Sequence, residues 1–180
     1  MTTVINLVPL SPEYHAQALQ EVYKSVPSFW NMYGLANAPD GQALSDLVTA
    51  ETTPGRVMMG IVRRLRTDNP QSGHEMIGLM DFRLQWTRQD TAYLAMVMVA
   101  ESMQRQGIGS EAWRLLAAWL GGSAEIHSVR LGVEQFNVKA MHFFSNIGFV
   151  FTGDANRIRV GEKWIRLLYM QQDLSCRGAT

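Results

Sequence analysis

The chain has 180 residues, zero net charge and one cysteine, a length that suits one domain over residues 1–180 with most of its surface buried in a single core. Balanced charge gives no whole-protein field to attract nucleic acid or an anionic membrane, so the expected partner is a small molecule or peptide. Cys176 has no internal partner, no apolar run reaches membrane-spanning length, and residues 1–10 lack the basic start and long apolar stretch of a signal peptide; together these predict a cytoplasmic protein without a membrane partner.

Residues 4–10 read as a first strand, with Pro9 placing it at an edge or its end. Ser11-Pro12 then supplies an N-cap and a proline at the first helical position, and Ala16, Leu19, Val22, Tyr23 and Val26 give an apolar face to a helix ending near Lys24. Residues 27–41 are aromatic and turn-rich, with Phe29 and Trp30 expected to cover a sheet, before a short helix over about 42–51. A strand follows at 57–62, a loop at 67–73, and a longer strand at 74–86. In that strand Gly78, Met80, Phe82, Leu84 and Trp86 share one face and Asp81, Arg83 and Gln85 the other, the alternation of an antiparallel strand. Residues 87–90 turn it into the next.

Residues 93–99 form an apolar run that belongs in the middle of a covered sheet. A glycine-bearing loop, Gln104-Arg105-Gln106-Gly107-Ile108-Gly109, comes next, then a helix whose stripe is Ile108, Ala112, Leu115, Leu116 and Trp119 and which stops at Gly121-Gly122. Residues 128–134 alternate Val129, Leu131 and Val133 and suit a strand parallel to the central one. Asn137 opens a helix with Ala140, Phe144 and Ile147 on one side, closed by Gly148, and strands at 149–151 and 163–174 flank a turn at 160–162. An antiparallel first half followed by one parallel crossover is unlike a doubly wound nucleotide fold.

Strand, glycine loop and helix make an anion site, since free N–H groups and the positive helix end converge where no Cβ intrudes. A Walker-type loop is excluded, because no lysine stands in it. The dinucleotide fingerprint is present in letters as Gly107-Ile108-Gly109-Ser110-Glu111-Ala112, with Glu134 as a ribose-binding acid. Residues 100–106 intervene between strand and fingerprint, however, and too little chain follows for a run of βα units. A dinucleotide-binding oxidoreductase is therefore the weakest of the functions considered.

Gln104, Gly107 and Gly109 fill the three fixed places of Q/R-x-x-G-x-G/A after a central strand, and the stretch resembles the acyl-CoA-binding signature of the GNAT superfamily of N-acetyltransferases. A second block, Val129 and Leu131 through Asn137 to Ile147-Gly148-Phe149, resembles that family's next strand, its Asn, and the helix ending in L-G-F. The resemblance spans about residues 57–174. It implies an α+β fold with a central mixed, mostly antiparallel sheet of about six or seven strands and helices on both faces. It also implies acetyl-CoA as acyl donor and direct transfer of the acetyl group to a primary amine of a small molecule or peptide. Backbone near Met98 and Val99 would pair with the pantetheine arm, amides from Gln104 to Ser110 (Gln104, Arg105, Gln106, Gly107, Ile108, Gly109, Ser110) would hold the pyrophosphate with Arg105 adding charge, and Asn137 would face the cofactor arm. The aromatic segment around Trp30 would wall the acceptor pocket. A homodimer is left open.

Catalysis needs a destination for the amine's proton and a proton or polar contact for the departing thiolate. Where the family commonly has a tyrosine as general acid, four residues before the L-G-F glycine, this chain has Phe144. Phe144 is expected to wall the thioester pocket, with water or backbone dipoles helping the thiolate. For the base, Glu134, Tyr93 and Asp81 are candidates by strand location only, and each has a structural account as well; Asp81 could pair with Arg83. Tyr169 and Tyr93 are the nearest substitutes for the acid. His142 falls off the helix's apolar stripe and suits the surface, and no His/Cys cluster has metal-ligand spacing. The alternative from another class is a non-catalytic acyl-CoA sensor or interaction module.

Overall fold

A computed structural model describes residues 4–64, 73–160 and 163–174. Cys176 and most of the expected 67–73 and 160–162 turns lie outside these. The described chain runs β1 (Ile5–Pro9), α1 (Pro12–Lys24), α2 (Pro27–Met32), α3 (Gln42–Thr52), β2 (Arg56–Arg64), β3 (His74–Arg83), β4 (Thr91–Val99), a 3₁₀ turn (Glu101–Met103), α4 (Ile108–Gly122), β5 (Ser128–Glu134), α5 (Val138–Asn146), β6 (Val150–Val160) and β7 (Lys163–Asp173). The strands form one seven-stranded sheet in the order β1-β2-β3-β4-β5-β7-β6, so β4 is central, as its apolar run predicts. β1 pairs antiparallel with β2, and β7 pairs antiparallel with β5 and β6. The β4–β5 pairing is parallel and covers Thr91–Tyr93 against Ser128–Arg130 (Tyr93 beside Arg130), the crossover being supplied by α4.

Contacts divide the chain into two compact units, Met1–Phe82 with Met96–Leu116 and Arg83–Ala95 with Ala117–Thr180. In the first, Leu19, Val22, Tyr23 and Val26 of α1 and its C-terminal end pack with Ala43, Leu47 and Ala50 of α3 and with Met58, Leu79 and Met98 of the sheet. Trp30 joins this core as expected, and its indole N–H donates to the Tyr23 carbonyl at 2.8 Å. The proline-started turn around it is a short helix that the sequence, dominated by aromatic and turn residues, does not announce. Gly78 is buried where β3 passes β4: a Cβ there would collide with the carbonyl of Met98, so only glycine allows the approach. In the second unit Val129, Leu131 and Val133 are buried as their alternation requires, and β5 pairs with β7 along all of Ser128–Glu134.

Several expectations are corrected. β3 ends at Arg83, not at residue 86; Gln85 and Thr87 both have positive φ, which breaks the extended run earlier than alternation suggests. Its residues 77–82 are buried on both sides, so Asp81 lies in the interior. The inner face of α4 is Ile108, Ala112, Trp113, Leu116, Ala117 and Leu120, whereas Trp119 is 37% exposed; the i, i+4 rows through 108 and 113 outcompete the i+3 neighbours Leu115 and Trp119. β6 extends over Val150–Val160 rather than three residues, and its pairing slips between Phe151 and Ala155 at a bulge where Gly153 has φ +86°. Polar residues on an edge strand hide its length from a reading of apolar periodicity. Asp81 is bound by Arg56 rather than Arg83: Nε and Nη2 of Arg56 donate to its two oxygens at 3.1 and 2.6 Å.

That ion pair stands beside a second buried polar contact, Tyr23 Oη to Asp46 Oδ2 at 2.8 Å, with Gln42 Nε2 donating to the other Asp46 oxygen at 2.9 Å. Burial pushes the Tyr23 phenol far above its usual range, with Asp46 adding. Burial also pushes the Asp81 carboxyl up, and Arg56 pulls against it. Asp81→Ala is expected to strand a mostly buried guanidinium and to cost about 3 kcal/mol in urea unfolding, while Arg56→Met/Asp81→Leu together restore most of the loss. A single-variant cost under about 1 kcal/mol, the range of an exposed pair, would refute this.

Candidate functional site

β4 runs out at Val99 and the chain must reach the start of α4 within a few residues. Ala100 N–H donates back to Ile77 O at 2.8 Å, and the 3₁₀ turn closes with Met103 N–H on Ala100 O and Gln104 N–H on Glu101 O. The Gln104 side chain then reaches back to Val99 O at 2.8 Å, and the Gln106 side chain to Ser102 O at 3.1 Å. Arg105 and Gly107 both take positive φ, +60° and +80°. Left-handed residues in a turn point successive N–H groups to one side, the geometry of an anion-binding nest.

The first intrahelical bond at α4 is Glu111 N–H to Gly107 O at 3.0 Å, so Ile108, Gly109 and Ser110 enter the helix with orphan amides. Among the described residues none of the amides of Arg105, Gln106, Gly107, Ile108, Gly109 and Ser110 donates to a backbone acceptor. Gln104, Arg105, Gln106, Gly107 and Ser110 are exposed, Gly109 is half-buried, and Ile108 is buried as the loop's anchor. Nothing lies within 4 Å of where a Cβ of Gly107 would be. This is an open cradle of backbone donors at a positive helix end, the kind of place that suits an anion. Of the strand residues expected to meet the pantetheine arm, Met98 is buried and Val99 half-buried, with Val99 O already engaged by Gln104.

The same unit ties this loop to α2. Glu101 Oε1 accepts the Ser28 N–H at 2.8 Å, and Glu101 N–H donates to Ser25 O at 3.1 Å. A carboxylate in the loop thus serves the first turn of α2, a contact that no spacing in the sequence signals because 73 positions separate the partners.

In the second unit Asn137 caps α5, accepting Ala140 N–H at 3.2 Å, the N-cap role its position predicts. Phe144 is half-buried, its ring 5.1 Å from that of Phe143 and 5.6 Å from that of Phe149. Tyr93, Glu134 and Tyr169 share one face of β4, β5 and β7. Burial pushes the Tyr93 phenol up, neighbouring Tyr169 and Glu134 add to this, and a hydrogen bond from Gly132 N–H and the charge of Arg130 oppose it. Tyr93 therefore stays protonated at neutral pH. The Tyr169 ring lies 4.6 Å from the Arg130 guanidinium, and Trp86 lies 5.1 Å from Tyr93. Asp81 belongs to the other unit and is consumed by Arg56. Sequence reasoning passed over Arg130 and Gly132; the glycine in the middle of an alternating strand is the signal that marks a close approach there. Among the described residues no group of His, Cys, Asp and Glu could hold a metal, and no helix is long and apolar enough to cross a membrane.

The sequence profile of the acetyltransferase (GNAT) family matches residues 57–149, which covers both the glycine loop and the Asn137 block. No curated protein matches the sequence. Among solved structures, an acetyltransferase from Thermus thermophilus superposes with a TM-score of 0.73 at 24% identity, over 96% of this chain and 99% of that one. A probable acetyltransferase (GNAT family) from Chromobacterium violaceum gives 0.79 at 16% identity, over 99% and 87%. Mutant forms of the spermidine/spermine N-acetyltransferase SpeG from Vibrio cholerae give 0.66 at 15% identity, over 96% of each chain. These likenesses show the same fold, and the profile match shows the family. The chain belongs to the GNAT family of acetyltransferases and is an acyl-CoA-dependent N-acyltransferase.

Proposed function

We propose that this enzyme transfers the acetyl group of acetyl-CoA to a primary amine of a small molecule or peptide, with the diphosphate of the donor held by the amides of residues 105–110. The observation that supports this most is the set of backbone donors left without backbone acceptors between Arg105 and Ser110. Acetyl-CoA supplies a thioester: the amine forms the new C–N bond as C–S breaks, the thiolate leaves, and the nitrogen gives up a proton. Arg105 adds a cation to the cradle, and the family resemblance assigns the backbone near Met98 and Val99 to the pantetheine arm. The family resemblance assigns Asn137 and Phe144 to the donor as well. The single cysteine and absence of net charge suit a cytoplasmic setting.

For the chemistry the chain's own groups are few. Phe144 has no proton to give, so the thiolate is served by water or backbone dipoles. Tyr93 stays neutral and is no base at pH 7; Glu134 shares its face of the sheet, which supports it as the carboxylate that takes the amine's proton, directly or through water.

Acetyl-CoA at a hundred times its dissociation constant should stabilise the protein by about 2.7 kcal/mol, several degrees in Tm, and NADH should give no shift; a shift with NADH alone refutes the assignment. Gly107→Asp should leave the fold intact, since Asp tolerates positive φ better than most residues, yet weaken CoA binding by about tenfold or more by placing a carboxylate among donors meant for diphosphate. Unchanged affinity in that folded variant moves the donor site elsewhere. Tyr93→Phe and Tyr169→Phe should each lower kcat by less than about tenfold at saturating acetyl-CoA, below the roughly hundredfold or more typical of side-chain acid catalysis. A loss of about a hundredfold in either, with cofactor affinity intact, would show that a tyrosine has taken over the acid's role.

A further inference from the structure

We propose that the amine acceptor carries a carboxylate and that Arg130 binds it. This rests on the acetyltransferase reading and names the acceptor class within it. Arg130 stands beside Tyr93 in the register of β4 and β5, at the last residue pair where the two strands meet. It lies on the face of β5 opposite the buried Val129, Leu131 and Val133, together with Gly132 and Glu134.

The guanidinium is fixed from two directions. Its central carbon lies 4.6 Å from the Tyr169 ring centroid, and Nη2 donates to Asp154 Oδ2 at 2.7 Å. Asp154 is itself held by the β6 bulge: its N–H donates to Thr152 Oγ1 at 3.1 Å, and the same hydroxyl lies 3.3 Å from Tyr169 O. The bulge thus interrupts β6 at the residue that aims Arg130, a use to which bulges near functional sites are put. Only one guanidinium nitrogen is used. Among the described residues Asp154 is the sole hydrogen-bond partner of the Arg130 side chain, and that side chain keeps 32% of its surface exposed. A guanidinium whose orientation is fixed while part of its donor fork is unspent fits a carboxylate, which takes two parallel N–H bonds.

The surroundings favour the same class. Tyr93, Tyr169 and Trp86 give aromatic walls, and Gly132 leaves room for them: a Cβ there would stand 3.0 Å from Tyr93 Oη and 3.4 Å from Tyr169 Cε1. A second guanidinium, Arg83, lies 5.1 Å from the Trp86 ring centroid. An amino acid or peptide would offer its carboxylate to Arg130 and its amine toward Glu134.

The test compares acceptors that differ in one group: L-phenylalanine with phenylalaninamide, β-alanine with β-alaninamide, glycylglycine with glycylglycinamide, and spermidine as the polycation. At least one acid should exceed its amide by about tenfold in kcat/KM, the size of one charge-assisted hydrogen-bonded contact. Arg130→Met should abolish that preference by raising KM for the acid about tenfold more than KM for the amide, with KM for acetyl-CoA unchanged. Amides or spermidine accepted as well as the acids would overturn the proposal, as would a preference that survives in Arg130→Met. Should that variant not fold, Arg130→Lys, which keeps the charge and loses the fork, decides: an undiminished preference overturns the proposal, a weakened one supports it. A protein that acetyl-CoA stabilises but that acetylates none of the acids also overturns it. Failure to bind acetyl-CoA at all is a different result and refutes the acetyltransferase reading itself.

Discussion

The loop between β4 and α4 has to leave a sheet and begin a helix while the amides from Arg105 to Ser110 find no backbone acceptor. That requirement accounts for much around it. The connection is anchored at its start by Ala100 on Ile77 O and by Gln104 on Val99 O, and at its end by the buried Ile108. Between those anchors Arg105 and Gly107 accept left-handed backbone; the arginine does so at a steric cost that a glycine avoids. Gly78 belongs to the same requirement, because β3 can lie against the end of β4 only where no side chain intervenes. From Arg105 to Ser110 the main-chain donors therefore stay open, while the tethering is left to the 3₁₀ turn before them and to the side chains of Gln104 and Gln106.

The elements with strong periodicity could be read directly: α1 from Ser11-Pro12 to Lys24, α3, the strict alternation of β5, and the loop with Gln104, Gly107 and Gly109. Their signals are local, a cap, a period or a backbone conformation. What escaped was set by distant partners. Asp81 looks like the outward residue of an alternating strand until Arg56, from β2, is seen to take both its oxygens. Trp113 and Trp119 are both plausible anchors of α4 by composition, and the packing of the folded chain chose the first. The full length of β6 could not be inferred because an edge strand need not be apolar. In the candidate site the glycine-bearing loop into α4 was legible, whereas Glu101 serving α2 and Arg130 stacked on Tyr169 are tertiary contacts with no sequence spacing of their own.

The two halves of the proposed chemistry rest on different kinds of structure. The donor cradle is made of main chain, so few side-chain substitutions away from Gly107 can abolish it. The acceptor patch is built of side chains, Trp86, Tyr93, Arg130 and Tyr169, on a backbone that would remain the same with other residues. Substitution can thus alter acceptor choice without touching the cradle. Phe144 fits the same division: its ring packs on Phe143 and Phe149 and contributes volume to α5 where a hydroxyl would contribute chemistry.

The sheet has two free margins, and they are treated differently. β1 is only Ile5–Pro9, and its proline lacks the N–H that an added strand would need. β6 is more than twice as long, and a margin of that length would ordinarily recruit a strand from another molecule. The slip between Phe151 and Ala155 breaks its hydrogen-bond rhythm, while Arg157 and Arg159 put like charges along the outer half. The bulge that aims Asp154 at Arg130 therefore also interrupts a template for cross-β stacking, and substitutions that straighten it would carry an aggregation cost apart from any effect on turnover.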